Sequence, residues 1–491
     1  SSRNGMLLSK DGTLLIQGVN GEVEFPPCVR MIGREAFEGC SGLTHLVIPD
    51  SVTNIASSAF AYYRGLTDVT ISDGIQFVGS WAFSHLGRLA NVTIPACLAE
   101  RSGPMPDMYE VFSDTSIENV TMTTGTVTIG NDAFAYTFDD ETCPTHVTIP
   151  NSVTGICEYA FYKCSGLKSV TIPDSVTYIG GVAFSGCSGL MEIAIPNSVT
   201  YIGGGAFSGC SGLTEITIPD SVTYIGGSAF SGCSGLTEIT IPNSVTNIGA
   251  GAFNCRGLAN VTIPACVLET GLRDVFPYSS SITNIVLSEG VQNIGDGAFG
   301  SRWDLLNLAH VFIPGSVTNI DAKAFRIFRG TVAVTVDPAN AVYSSRDGML
   351  LTKDGTRLLQ GVSGAVTIPP GVTSIDANAF YECDLTSLTI PSGVTSIGEW
   401  AFGTIYTFSN LTSLTIPDSV TDIGESAFRN CRNLRNVWLP KHLRGKLSTS
   451  VFANCGNVTL NYYDAMCCVT FRTEEGIVEQ RQCPEQSYRS R

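Results

Sequence analysis

The chain has 491 residues, of which 43% are hydrophobic, 15% are charged and 51 are glycine, and its formal net charge is −16. It is too apolar to be disordered and too rich in glycine to be a helical protein. The acidic charge argues against nucleic acid as a partner, because phosphate binding requires clustered lysine and arginine. No apolar stretch reaches the roughly 18 residues of a membrane span, so no membrane insertion is predicted.

The first residues of the chain are duplicated later in the sequence. Residues 1–12 read SSRNGMLLSKDG, and residues 344–355 read SSRDGMLLTKDG. The second copy follows residues 332–338, VAVTVDP, which read as a strand and a turn, whereas the first copy has no such lead-in. We therefore expect the sequence to be part of a longer protein, and its N-terminus indicates no localisation.

A period of 23 residues runs through the middle of the chain. Ile-Pro places its proline at Pro150, Pro173, Pro196, Pro219 and Pro242, and Ala-Phe keeps the same spacing at Phe161, Phe184, Phe207, Phe230 and Phe253. A repeat of 20 to 30 residues is typical of a solenoid, in which each turn is closed by its neighbours and one continuous core forms.

A typical repeat encodes two extended stretches and one compact turn. Ile216 and Ile218 alternate with polar residues as in a half-buried strand, and Pro219 ends that strand because it cannot donate a ladder hydrogen bond. Residues 222–225 form a second short extended stretch, and the following glycines permit a bend. Phe230 then supplies a large apolar ring to the core from a short helical turn.

The repeated pattern L-x-x-L-x-I-P-x-x-V-x-x-I-G-x-x-A-F-x-x-C resembles the BspA-like class of bacterial leucine-rich repeats from about residue 25 to residue 455. The repeat predicts a leucine-rich repeat solenoid, mainly β with short helical turns. We expect a curved, right-handed stack of roughly 20 turns with a concave parallel sheet.

Three segments depart from the pattern, at residues 97–123, 266–287 and 441–452, and we expect these longer units to bulge from the convex side. The predicted solenoid occupies residues 1–463 as one domain. Residues 464–491 lose the period, and they are either a frayed tail or the start of a further small β unit.

Nine of the 17 cysteines follow the phenylalanine element of their repeat: Cys40, Cys164, Cys187, Cys210, Cys233, Cys255, Cys383, Cys431 and Cys455. Equivalent positions in stacked turns are about 4.8 Å apart with parallel Cβ vectors, which is too far at Cβ for a disulfide. The spacing therefore favours a buried ladder of reduced thiols, with a metal strip or a chain of disulfides as the alternatives. One or two disulfides remain open among Cys28, Cys97, Cys143, Cys157, Cys266, Cys467, Cys468 and Cys483.

The sequence offers little for catalysis. Its five histidines form no H-E-x-x-H or paired metal-binding spacing, and no G-x-S-x-G or phosphate-binding glycine motif is present. We expect no enzyme activity, no metal site and no cofactor.

The exposed face of the predicted strands carries the candidate binding residues. Threonine recurs at one outward position, with Thr217 and Thr240 as examples, and Glu192, Glu215 and Glu238 form a neighbouring row 23 residues apart. Threonine on a solvated strand face is also what β propensity alone would produce. The threonine position is taken by aromatic residues at two places, Phe312 and Trp438, which favours ligand binding over a plain spacer. A second row, Tyr178, Tyr201 and Tyr224, is interpreted as packed against itself.

The resemblance implies a secreted or cell-surface protein that adheres to other molecules. The predicted function is therefore non-catalytic recognition of a protein or glycan ligand on the concave face, with the glutamate row contacting a cationic partner. The alternative is a structural spacer or scaffold array within a larger surface protein.

Overall fold

A computed structural model describes residues 2–100, 108–135, 144–277, 280–299, 307–325, 332–405 and 409–464, and the backbone of two short strands beyond them. The chain divides into two compact units, Ser1–Ser288 and Glu289–Arg491. Each unit is a stack of repeated turns in which a longer strand lies on one side, here called the front sheet, and a two-residue strand lies on the other, the back sheet. The predicted parallel-sheet leucine-rich repeat solenoid is confirmed.

In a typical turn the front strand begins at the residue directly before the I-x-I-P sequence, as at Glu238, and it pairs in parallel with its neighbours. In the first unit they are His45–Ile48, Asp68–Ile71, Asn91–Ile94, Asn119–Met122, His146–Thr148, Ser169–Thr171, Glu238–Thr240, Asn260–Ile263 and Asn284–Leu287; in the second they are His310–Ile313, Ala333–Val336, Gly364–Thr367, Leu385–Thr389, Ser413–Thr415, Asn436–Pro440 and Thr459–Tyr463. Their side chains alternate between core and solvent, as a half-buried sheet requires.

The back strands are only two residues long because glycine or a small residue bends the chain directly after them. In the first unit they are Met31–Ile32, Asn54–Ile55, Phe77–Val78, Thr128–Ile129, Gly155–Ile156, Tyr178–Ile179, Tyr201–Ile202, Tyr224–Ile225 and Asn247–Ile248; in the second they are Asn293–Ile294, Asn319–Ile320, Ser374–Ile375, Ser396–Ile397 and Asp422–Ile423. The second residue of nearly every pair is buried, so the back sheet closes the core.

A column of stacked phenylalanines fills each unit, one from each turn. In the first unit the centroids of neighbouring stacked rings lie 4.8 to 5.7 Å apart. The 17 members of the described columns are Phe37, Phe60, Phe83, Phe112, Phe134, Phe161, Phe184, Phe207, Phe230, Phe253, Phe276, Phe299, Phe325, Phe380, Phe402, Phe428 and Phe452. The sequence prediction of roughly 20 turns was too high, because the lengthened turns and two hairpins use residues that a strict period assigns to further turns.

Two of the lengthened turns form short helices after the Pro-Ala-Cys sequence. These helices are Ala96–Ala99 and Met108–Val111 in one turn and Ala265–Thr270 and Leu272–Val275 in the other, and a 3-10 helix lies at Lys441–Leu443. Phe112 and Phe276 still reach the ring column, at 5.4 and 5.7 Å from the preceding rings. The ring column therefore extends into these turns, and the helices add buried residues to the core, among them Leu98 and Ala99 in one turn and Val267 and Leu272 in the other.

The duplicated sequence folds as the same antiparallel hairpin in both units. The first copy contains Ser2–Arg3, Met6–Leu8 and Leu14–Gln17, and the second contains Tyr343–Arg346, Met349–Thr352 and Arg357–Gln360. The registers match residue for residue, since Leu7 pairs with Gln17 as Leu350 pairs with Gln360, and both pairings shift directly afterwards. Each hairpin then continues in parallel into the back sheet of its unit.

The described cysteines of the predicted ladder form no disulfide, and from Cys164 onward they are buried. Cys40, at the start of the ladder, is only half-buried. Cys28, Cys97, Cys157 and Cys266 also form no disulfide. Cys143, Cys467, Cys468 and Cys483 lie outside the described residues. Near the C-terminus, Arg472–Thr473 and Gly476–Ile477 form a short antiparallel pair.

Candidate ligand-binding surface

The first residue of each front strand, together with the equivalent residues Glu192 and Glu215 of two turns whose front stretch is not a strand, forms a row of polar side chains, here called the strand-start row. In the first unit it contains His45, Asp68, Asn91, Asn119, His146, Ser169, Glu192, Glu215, Glu238, Asn260 and Asn284. Backbone pairing places neighbours of this row side by side, so each side chain can reach only the groups above and below it. The chemistry of each position therefore depends on what its neighbours offer.

Part of this row is satisfied internally by hydrogen bonds between side chains. The Asn91 amide donates to Asp68 Oδ1 at 2.7 Å, and the Asn119 amide donates to Asn91 Oδ1 at 2.9 Å. His45 Nε2 lies 3.1 Å from Asp68 Oδ2. The Thr67 hydroxyl also donates to Asp68, and this hydrogen bond is the largest cause that lowers the pKa of Asp68 below its ordinary value. The contacts with Asn91 and His45 lower it further. The same amide contact recurs between Asn284 and Asn260 at 2.7 Å.

The three glutamates of the row lack such partners. Glu192, Glu215 and Glu238 are exposed, and with the described residues they form neither a side-chain hydrogen bond nor an ion pair. From residue 169 to residue 255 the sequence contains no lysine, arginine or histidine, while it contains five acidic residues, Asp174, Glu192, Glu215, Asp220 and Glu238. This part of the front surface is therefore negatively charged, with no basic side chain in its own turns.

The front ladder is interrupted at two of these glutamates. The back strands Tyr178–Ile179, Tyr201–Ile202 and Tyr224–Ile225 pair continuously, but the front stretches at residues 192–195 and 215–218 are not assigned as strands. Ile216 is half-exposed, although the equivalent Ile193 and Ile239 of the neighbouring turns are buried. The paired back strands thus keep these turns in register, while their front stretches form no strand ladder.

A shallow groove of about 950 Å³ lies at this place on the front surface. Glu215 and Glu238 line it together with Thr217 and Thr240, so the structure brings four of the sequence-predicted site residues into one concavity. Glu192 belongs to the same row one turn away but does not line the groove. Carboxylates, hydroxyls and the Asn260 amide give the groove acceptors and donors over an apolar floor that includes Ile216 and Ile218.

Phe312 and Trp438 belong to the second unit, Glu289–Arg491, and neither is among the residues that line the groove. Strand register confirms that both occupy the threonine position, because Phe312 pairs with Thr335 and Trp438 pairs with Thr415. Both rings are half-buried rather than exposed as the sequence suggested. Side chains on adjacent strands lie close enough to cover part of a large ring.

Two of the three tyrosines in the back-sheet row pack against each other, as predicted. The Tyr201 and Tyr224 rings stack at 4.7 Å with an interplanar angle of 5°. Tyr178 leans over Gly155, where an added Cβ would lie 2.1 Å from the ring. These rings stabilise the back sheet and lie on the side of the turn opposite to the groove.

Sequence reasoning missed the polar residues at the proline end of the groove. Asp220 and Asn243 line the groove directly after Pro219 and Pro242. The signal was available, because an aspartate or asparagine follows the proline in each of these repeats at Asp174, Asn197, Asp220 and Asn243. Aspartate and asparagine are also common turn residues, so the pattern by itself does not distinguish a turn from a binding surface.

The described residues contain no group of three or more histidine, cysteine, aspartate or glutamate side chains arranged to hold a metal ion. No helix in the described part of the chain is both long enough and apolar enough to cross a bilayer. Three histidines pair with aspartates; one of them, His85, stacks on the Tyr62 ring at 4.3 Å while its Nδ1 lies 3.0 Å from Asp114.

Comparison with known proteins gives consistent matches. Similar solved structures include a leucine-rich repeat protein from Bacteroides ovatus, with 20% identity, 86% of this chain and 92% of that chain covered, and a TM-score of 0.38. Another is a leucine-rich cell surface protein from Faecalibacterium prausnitzii, with 21% identity, 94% and 93% covered, and a TM-score of 0.23. No curated protein matches the chain.

A sequence model for the BspA type leucine rich repeat region matches the chain over residues 20–139, 108–219, 135–253, 206–329 and 363–466. These matches span nearly all the described turns, from the first front strand to the last. Because they cover well over half of the 491 residues, the chain belongs to the BspA-type leucine-rich repeat family.

Proposed function

We propose that this chain is a non-catalytic recognition module of a secreted or cell-surface protein, and that its front-face groove binds a protein or glycan ligand carrying positive charge. The observation that carries the proposal is the groove at Glu215 and Glu238, whose exposed carboxylates have no cationic partner among the described residues. The alternative, a plain spacer, gives no reason for a groove with this charge.

The energetics favour a ligand that makes several contacts. One exposed ion pair contributes about 0 to 1 kcal/mol, so a single lysine would bind weakly. Glu215, Asp220 and Glu238 offer three carboxylates in one groove, and clefts lined by one sign of charge concentrate oppositely charged ligands. Thr217 and Thr240 add hydroxyls that donate and accept hydrogen bonds.

A rigid surface lowers the cost of binding. The continuous back ladder and the phenylalanine column fix the turns on either side of the groove, and a surface that is already formed loses little conformational freedom when a ligand binds. Phe312 and Trp438 stay predicted ligand contacts of the second unit. Because both are half-buried, they support the proposal less strongly than the groove does.

Hydrogen–deuterium exchange in the presence of octalysine tests the proposal. This probe supplies positive charge in an extended form, and we expect it to protect amides at residues 215–218 and 238–241 at low salt. The strands Asp68–Ile71 and Asn91–Ile94 of the same unit serve as the internal control, because the Asp68 carboxylate already accepts a hydrogen bond from the Asn91 amide. Protection that is absent, or equal at the control strands, would overturn the proposal.

A further inference from the structure

The two copies of the hairpin bury one face to the same extent. Met6, Leu8 and Leu15 are at most 2% exposed in the first copy, and their counterparts Met349, Leu351 and Leu358 are at most 3% exposed in the second. This shared face packs on the core of its own unit. The two copies therefore use equivalent residues to contact the core of their own unit.

The opposite face differs sharply between the copies. Leu7 is 45% exposed, whereas its counterpart Leu350 is fully buried. Gln17 is exposed and Gln360 is buried, and Ile16 is 44% exposed where Leu359 is half-buried. The sequences and registers of the copies are nearly identical, so the difference lies in what covers them.

In the second copy the covering element is the strand Ala333–Val336. This strand packs against both Tyr343–Arg346 and Met349–Thr352. The Val334 amide donates to the Gly348 carbonyl oxygen at 2.8 Å, and the Val336 amide donates to Ser345 Oγ at 3.0 Å. Val334 and Val336 are buried, while Thr335 between them is exposed.

The first copy presents the same docking geometry without an occupant among the described residues. Asn4 and Gly5 form the same left-handed turn as Asp347 and Gly348, with φ of 50° and 77° against 52° and 77°. The Gly5 carbonyl oxygen corresponds to the acceptor of the Val334 amide, and no described backbone amide donates to it. We call the surface formed by Gly5, Leu7, Ile16 and Gln17 the hairpin docking face.

We propose that the hairpin docking face binds an extended polypeptide strand of the Val-x-Val type that residues 332–336 exemplify. The occupant lies across the turn at Gly5, donates an amide to the Gly5 carbonyl oxygen and buries Leu7, as Val334 donates to Gly348 and Leu350 is buried in the second copy. One main-chain hydrogen bond, to the Gly5 carbonyl oxygen, fixes the position of the occupant, and its apolar side chains supply most of the binding energy. A full strand ladder with the hairpin is not required, because Ala333–Val336 itself forms its ladder with His310–Ile313.

The direct test uses a labelled peptide with the sequence of residues 332–343, VAVTVDPANAVY, titrated against the protein and followed by fluorescence anisotropy. We expect saturable binding that a Leu7→Ser variant weakens at least tenfold. Leu7 is exposed, so this substitution should leave the fold intact, which circular dichroism checks. Val47→Ser, at another exposed apolar position (62% exposed), is the matched control and should bind like the parent.

A graft provides a second measurement that does not depend on binding in trans. Placing residues 332–343 directly before Ser1 reproduces the order found in the second copy. We expect at least tenfold slower amide exchange around Gly5 and Leu7 and a higher melting temperature than a graft carrying Val334→Asp and Val336→Asp. Equal exchange in both grafts would overturn the proposal, as would a peptide that binds no better than its scrambled form. A concentration-dependent dimer that Leu7→Ser abolishes would also overturn it, because a second copy would then be the occupant.

Discussion

The Cys210 thiol donates to the backbone carbonyl oxygen of Phe184 in the preceding turn at 3.1 Å, and the same oxygen accepts the amide of Cys187. Cys187 and Cys233 repeat the thiol contact with Phe161 and Phe207, also at 3.1 Å. The thiols thus connect successive turns through the phenylalanine segment. This contact gives the buried cysteines a structural role, because each thiol hydrogen-bonds to the turn before it.

We predict that Cys187, Cys210 and Cys233 resist iodoacetamide in the native protein and react only after unfolding. All three are fully buried, and the reactive thiolate is disfavoured in an apolar environment. Mass spectrometry of alkylated peptides, with and without guanidinium, measures this. Cys157 is half-buried and serves as the comparison. A disulfide between any two of the three ladder cysteines would contradict the account.

Alkaline pH should destabilise the fold through the same thiols. Burial raises the pKa of Cys210 from 9.0 to about 12. Above pH 9 the unfolded chain loses this proton while the folded chain keeps it. The free energy of unfolding therefore falls by about 1.4 kcal/mol per pH unit for such a thiol, until pH reaches the folded pKa.

Urea unfolding of the parent and of Cys210→Ala across this pH range tests the prediction. The variant should be less stable at pH 7 but should lose stability less steeply as pH rises. Ser211→Ala, at an exposed position one residue away, is the control and should follow the parent. Identical slopes for Cys210→Ala and the parent would show that this thiol is not protected.

Replacing Phe207 by alanine should cost about 3 to 5 kcal/mol in the free energy of unfolding. Its ring is fully buried and stacks between Phe184 and Phe230 at 5.4 and 5.3 Å. Because the rings form a column, the cavity would separate the turns above and below. Denaturant unfolding measures the loss, and a variant that unfolds at the parent's midpoint would place the ring outside the core.

Gly361→Ala should destabilise the second unit by about 1 to 3 kcal/mol, the usual range for an overpacked core. A Cβ at this position would lie 2.0 Å from the Phe380 ring. Gly355→Ala is the comparison variant. Gly355 has a φ of 71° and no atom within 4 Å of an added Cβ, so this variant measures the cost of backbone strain without overpacking. The prediction fails if thermal unfolding of Gly361→Ala matches the parent.

The repeat period predicted the stacked phenylalanines and the pairing of Phe312 and Trp438 with threonine positions, but its prediction of a half-buried strand at Ile216 and Ile218 was wrong. It could not predict the interrupted front ladder, because residues 192–195 and 215–218 follow the same pattern as turns whose strands do pair. Ladder formation depends on cooperative contacts between turns, which a single repeat does not encode. The burial of Phe312 and Trp438 likewise depends on neighbouring strands rather than on their own repeats.

The central claim, that the acidic front surface around the groove recognises a cationic ligand, is tested most directly by calorimetric titration of octalysine at low salt. The variants are the parent, the triple variant Glu192→Gln, Glu215→Gln and Glu238→Gln, and a control with Glu38→Gln, Glu158→Gln and Glu269→Gln. The control changes the net charge equally at exposed glutamates that do not line the groove. Three surface ion pairs at up to about 1 kcal/mol each predict that the first triple variant binds about 10- to 100-fold more weakly and with less salt dependence, while the control stays close to the parent. Equal affinity of the parent and the first triple variant, or equal weakening by the control, would contradict the claim.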